Sequence, residues 1–119
     1  MTKDERMERA RQLHKNGFNC CQSVLLAYAD KLSIDEETAQ KVSSPFGRGL
    51  VGMREVCGCV SGMAMACALS GHEESAKSVI ETFRNANGDV VCARLIKMGK
   101  KPCNELVSDA AGILSQYLD

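Results

Sequence analysis

The sequence predicts an all-α fold, a compact single-domain bundle of six or seven helices with a glycine-rich loop in its middle. No segment alternates apolar and polar residues over a convincing length, so strands leave no signature. Apolar residues recur instead at helical spacing, as at Cys21, Val24, Leu25, Tyr28 and Leu32. Helix start and stop signals follow one another closely along 119 residues, a length that one hydrophobic core fills, so residues 1–119 are read as one domain.

Each element has its own signal. Thr2 with Glu5 forms a capping box, and the charged helix behind it runs weakly amphipathic through Met7, Ala10, Leu13 and His14 to a stop at Gly17. Asn19 caps a second helix that carries the Cys21-to-Leu32 stripe. Ser33 with Glu36 repeats the capping box for a short third helix, ended by Ser43, Ser44 and Pro45. The stretch "PFGRGLVGMRE" (45–55) has neither period and reads as an irregular loop. "CGCVSGMAMACALSG" (57–71) is apolar nearly all round, which suits a central helix, and its small residues let neighbouring backbones approach. "HEESAKSVIETFRNANG" (72–88) turns Ala76, Val79, Ile80 and Phe83 inward and stops at Gly88. Asp89 caps a short sixth helix with Val91, Cys92, Leu95 and Ile96 inward. Pro102 starts the last, striped by Cys103, Leu106, Val107, Ala110, Ile113, Leu114 and Tyr117.

Composition narrows the function. Hydrophobic residues make up 45% and charged residues 25% of the chain, which argues against disorder. Fifteen basic residues balance fifteen acidic ones, leaving no overall field to attract nucleic acid or an anionic membrane. The charged start lacks the apolar core of a secretory signal, and no apolar run reaches the roughly 18 residues of a membrane span, so a cytoplasmic protein is expected.

In a reducing compartment the seven cysteines, an odd number, point to metal binding or redox chemistry rather than to permanent disulfides. Cys20 falls in the first turn of its helix and Cys57 opens another directly after the glycine loop, both places where free N–H groups favour a thiolate. Cys59, about 200° round a regular helix from Cys57, is expected to face elsewhere as packing, and Cys21 and Cys67 fall on buried stripes. Cys92 and Cys103 also lie on inward stripes. Cys20, Cys57, Cys92 and Cys103 belong to four different helices or helix starts, three of them N-termini, and a bundle is able to bring the four together. No CxxC pair marks a thioredoxin-like dithiol or a zinc knuckle. "GRGLVG" (47–52) has the letters of a dinucleotide fingerprint without its strand and helix, so its glycines are better read as backbone that aims N–H groups at sulfur. His14 and His72 are isolated; Arg48, Arg54, Lys97, Lys100 and Lys101 flank the cysteine-bearing segments and lower nearby thiol pKa values where they approach.

"GFNCCQSVLLAYAD", "CGCVSG", "FRNANGDVVCARL" and "CNELVSDAAGIL", in that order, resemble a family of bacterial redox-active proteins named for four cysteines and a CGAxxG motif. The resemblance covers nearly the whole chain. It implies that Cys20, Cys57, Cys92 and Cys103 are the family's four cysteines, with Cys21 and Cys59 standing where the family commonly has alanine. It implies redox activity and names no substrate.

Two readings follow. Four thiolates from separate segments match the ligand count of an iron–sulfur cluster or similar metal centre, with Cys59 as an extra candidate, for electron transfer or redox sensing. Alternatively, Cys20 or Cys57 attacks a disulfide and one of Cys59, Cys92 and Cys103 resolves it, with no cofactor. A structural zinc or interaction domain is the third alternative. A redox partner protein is expected, and a homodimer is left open.

Overall fold

Seven α-helices form in the computed structural model, which describes residues 1–119: α1 (Lys3–Lys15), α2 (Cys20–Leu26), α3 (Glu36–Ser43), α4 (Gly58–Leu69), α5 (Ala76–Asn87), α6 (Cys92–Met98) and α7 (Cys103–Leu118). There is no strand, only one isolated antiparallel bridge between Val56 and Val91. The all-α expectation is met.

Capping accounts for most boundaries and for the differences from the sequence reading. Thr2 and Glu5 close the expected box on α1, and Asn19 with Gln22 closes one on α2. α3 does not start from Ser33: its amide is drawn to the Leu69 carbonyl at 2.8 Å, and Asp35 caps instead, accepting the Thr38 N–H at 2.7 Å. α2 ends at Leu26 rather than running to Leu32. At that point the Ala27 carbonyl is taken by a buried guanidinium, and the chain tightens into a 3₁₀ turn over Ala29–Lys31. Two more 3₁₀ turns follow, Ser44–Phe46 after α3 and Glu73–Ser75, which delays α5 to Ala76. Asp89 does not cap α6 as expected: it accepts from the amides of Val90 and Val91 at 2.7 and 3.0 Å, ahead of the helix, whose N-cap is Val91 with no side-chain cap.

α4 is the central helix, touched by α2, α5 and α7, while α1 lies antiparallel along α7. Val24 and Leu25 of α2, Met63 of α4, Phe83 of α5 and Val107 and Leu114 of α7 are wholly buried in this core. Gly62 explains how α2 comes so close. A Cβ there would stand 2.9 Å from the Cys21 carbonyl oxygen and 3.1 Å from Val24 Cβ, so any side chain would push α2 away. Ile96, expected inward, is instead exposed.

The sequence reading missed Arg6. Its side chain is fully buried, ion-paired to Asp30 at 2.5 Å and to Asp119 at 2.7 Å, and it donates to the Ala27 carbonyl at 2.9 Å. The guanidinium also lies 4.3 Å from the centre of the Tyr28 ring, whose hydroxyl donates to the Ala111 carbonyl at 2.6 Å. Burial alone would depress the Arg6 pKa, but the hydrogen bonds and charges of Asp30 and Asp119 raise it. This cluster joins α1, the end of α2 and the end of α7 at one pole of the molecule.

Candidate redox site

At the other end of α1 and α7 lies a cavity of about 500 Å³, and Cys20, Cys57, Cys59, Cys92 and Cys103 all line it. All seven cysteines of the chain are free thiols. Each of the four widely separated cysteines stands at a helix start: Cys20, Cys92 and Cys103 are the first residues of α2, α6 and α7, and Cys57 is the N-cap of α4. Four helix starts, one more than expected, therefore meet at one place, where their unpaired amides favour negative charge.

Backbone pairing holds two of these positions together. The Cys57 amide donates to the Val90 carbonyl at 2.8 Å, and the Cys92 amide donates to the Glu55 carbonyl at 2.6 Å. With the Val56–Val91 bridge, these bonds lock the entrance of α4 to the entrance of α6.

Cys59 corrects the sequence reading. The 200° separation assumed a helix through Cys57, but Cys57 has φ −53° and ψ 133°, outside the helical region, so that rule does not apply. Cys59 is buried beside Cys20 and Cys57, with its single S–H directed at their sulfurs. The neighbouring Cys20 and Cys57 sulfurs, together with burial, hold the Cys59 proton on and its pKa well up. The same donation brings the Cys20 thiol down to about 6, helped by the backbone N–H of Arg48 and the amides at the start of α2. Cys57 is also lowered, first by Cys59 and then by the amides of Cys59 and Val60. The glycine loop thus supplies an N–H to sulfur, as its sequence suggested.

Gly58 has a definite steric job. A Cβ on it would lie 2.3 Å from the Cys20 sulfur, so the residue after Cys57 has to be glycine for Cys20 to reach the cavity. With Gly62 one turn on, the two glycines of the motif form the seam that receives α2.

Charge arrives from the loop. Arg48 and Arg54 line the cavity, and the Arg54 guanidinium donates to the Cys92 sulfur at 3.7 Å. Both residues, with Leu50 and Val51, have left-handed backbone, at φ 56°, 60°, 74° and 43° respectively. Four non-glycine residues in that region make the loop a strained segment.

The remaining candidates sort themselves by place. Cys21, the neighbour of Cys20, points into the core, where burial pushes its thiol up to about 12. Cys67 is core as expected, raised to about 11 by burial. Cys103, expected on a buried stripe, is exposed at the rim, and burial of its sulfur with the charges of Cys20, Cys57 and Cys92 keeps its pKa up. His14 lines the cavity, its pKa lowered by burial, and its Nδ1 lies 3.2 Å from Nδ2 of Asn104. His72 lies outside, against Ser70.

No three His, Cys, Asp or Glu side chains stand close enough together to hold one metal ion. That arrangement does not fit a mononuclear centre such as zinc, which gathers its ligands around a single ion. A polynuclear cluster would ask for thiolates on different irons rather than around one ion.

A family model described as "Putative redox-active protein (C_GCAxxG_C_C)" matches residues 18–117. No curated protein and no solved structure matches the chain. No helix is long and apolar enough to cross a membrane.

Proposed function

The chain belongs to this family of redox-active proteins, and from that premise we propose that it is an electron carrier or redox sensor whose Cys20, Cys57, Cys92 and Cys103 hold an iron–sulfur cluster. The observation that carries the reading is the convergence of these four cysteines, remote in sequence, on one cavity of about 500 Å³. Cysteines kept only as small apolar residues have no reason to meet around an opening. Such a cluster supplies one-electron exchange at a potential set by charge, hydrogen bonding and exposure.

The surrounding residues suit that task. Amides at the starts of α2 and α4 and the Arg48 N–H offset negative charge on Cys20 and Cys57, and Arg54 does the same at Cys92. Cys59 keeps its proton, so it offers its S–H to the Cys20 and Cys57 sulfurs without adding a charge. Phe18, Leu95 and Leu106 add apolar wall to the cavity and limit water.

Anaerobic purification tests the reading. The expected product is a brown protein with visible absorption and stoichiometric iron and sulfide, lost when any of the four cysteines is changed to alanine. A colourless, iron-free protein overturns it.

The position of Cys59 between Cys20 and Cys57 favours a second reading, metal-free thiol–disulfide exchange. The Cys20 thiolate attacks a substrate disulfide and expels one thiolate. Cys57 then attacks the mixed disulfide, releasing the second thiolate and closing a Cys20–Cys57 bond, so two electrons pass to the substrate. Under this reading alkylation of Cys20 abolishes disulfide reduction by the iron-free protein. An alkylated protein that still reduces the disulfide rules it out.

A further inference from the structure

Around the cavity mouth the surface differs from the rest of the molecule. Of the eight large hydrophobic residues left exposed, six (Leu50, Val51, Met53, Val56, Ile96 and Met98) lie on the loop or on α6. The two segments are contiguous, since the Ala93 amide donates to the Arg54 carbonyl at 3.1 Å and Val56 bridges Val91. The loop folds back on itself through bonds from Arg54 to Arg48 and from Glu55 to Gly49, which puts Leu50, Val51 and Met53 at its tip. Ile96 lines the cavity and is also 52% exposed, so the apolar patch reaches the opening itself.

The same ground is basic. Arg48, Arg54, Arg94, Lys97, Lys100 and Lys101 lie here, six of fifteen basic residues in a chain with no net charge. Arg94 pairs with Asp89 at 3.6 Å and Lys101 with Asp109 at 2.5 Å, but the other four have no carboxylate partner. Glu55 and Glu105 lie close by with those two aspartates, so six basic residues face four acidic ones.

Val51 adds a third observation. A β-branched residue strongly resists left-handed backbone, yet Val51 adopts φ 43° while 66% exposed. With so little of it packed, the fold itself gains little from valine there. Asparagine would relieve the strain, so the apolar side chain points to a role outside the isolated chain.

Building on the electron-transfer reading above, we propose that this apolar patch with its basic rim is the docking surface for an electron-transfer protein with an acidic face. Opposite charge steers the encounter, and the apolar centre excludes water where the cysteine cavity opens. A second copy of this chain is a poorer occupant, because it would bring two basic rims together.

Titration of the ¹⁵N-labelled protein with an acidic plant-type ferredoxin, and with basic cytochrome c as contrast, tests the surface. The expected result is amide shifts and broadening confined to residues 48–56 and 92–101 with ferredoxin alone, fading as salt rises. Lys97→Glu with Lys100→Glu should weaken binding about tenfold at low salt. Val51→Asn should weaken binding while leaving thermal stability equal or higher, an outcome that misfolding does not imitate. Absence of ferredoxin binding, shifts elsewhere on the surface, equal binding of both carriers, or concentration-dependent self-association through the patch overturns the proposal. Docking by a protein that proves iron-free would sink the cluster and spare the surface; a brown protein that fails to dock would do the reverse.

Discussion

At one end of α1 the buried guanidinium of Arg6 meets two carboxylates, a carbonyl and a ring face; at the other end His14 looks onto a cavity lined by five cysteines and two arginines. α7 runs between the same two regions, from Cys103 to the Asp119 that caps it, and the α2 segment runs from Cys20 to Asp30. Both poles manage charge away from bulk water, with opposite results. Around Arg6 every strong donor has an acceptor, so the charge is fixed and chemically idle. Around the cysteines, N–H and S–H donors favour thiolates that are tied into no bond, which is the condition for reactivity. The same three segments are stapled at one end and left poised at the other.

Removing Arg6 should break the contrast most strongly. Arg6→Met keeps the volume but leaves Asp119 half-enclosed without its partner, and a loss of about 3 kcal/mol is expected from the cost of breaking a buried pair. Urea unfolding measures it. Iodoacetamide reactivity of native Cys20 should stay unchanged, and a matching loss of reactivity would show that the poles are not independent.

Gly58→Ala attacks the other pole. The added methyl meets the Cys20 sulfur, so a destabilisation of roughly 1–3 kcal/mol is expected, as for other overpacked cores. Cys20 should then also lose its low pKa as it is pushed from Cys59. A variant with native stability and a native Cys20 titration would refute the steric role of this glycine.

Cys59 sharpens the comparison by separating hydrogen bonding from packing. Cys59→Ala removes the donor shared by Cys20 and Cys57, and the pH midpoint for Cys20 alkylation in metal-free protein should climb from about 6 toward the ordinary 9. Cys59→Ser, which keeps an O–H, should restore part of the shift. Equal behaviour of the two variants would mean that the backbone amides alone set it.

The pH dependence of stability should differ between the poles as well. Cys20 is lowered in the fold from 9 to about 6, so its stabilisation is fully present above pH 9 and disappears as pH falls through 6. Cys21, raised to about 12 by burial, acts oppositely and weakens the fold as pH rises past 9. At the arginine pole Asp30 is lowered from 3.8 to about 2 by its bonds to Arg6, so its contribution is complete above pH 4 and is lost as pH falls through 2. Asp30 is more than half exposed, and this acid-side loss should be the smallest effect of the set. Urea midpoints in metal-free protein across pH 2–10, with Cys20→Ala and Asp30→Asn as controls, separate the windows.

Helix caps and apolar spacing made most of the fold legible, because those signals are local: Thr2 and Asn19 act within three residues of themselves. What escaped was long-range. Ser33 lost its role to a carbonyl 36 residues away, and α2 stopped short where Arg6 claims the Ala27 carbonyl. Arg6 itself looked like one more charge on a weakly amphipathic helix, since nothing nearby in sequence announces Asp30 or Asp119. The gathering of Cys20, Cys57, Cys92 and Cys103 was readable from their places at separate helix starts. The part played by Cys59 was not, because it depends on the backbone of Cys57 leaving the helical region, which spacing alone does not report.

The backbone hydrogen bonds from Cys57 to Val90 and from Cys92 to Glu55 make these two sulfur positions a single yoke. Any widening or narrowing of the sulfur set must then come chiefly from Cys20 or Cys103. Cys20 is instead placed by side-chain packing, on a helix seated against α4 over Gly58 and Gly62. Half of the set is tied backbone to backbone, and half depends on how the helices pack.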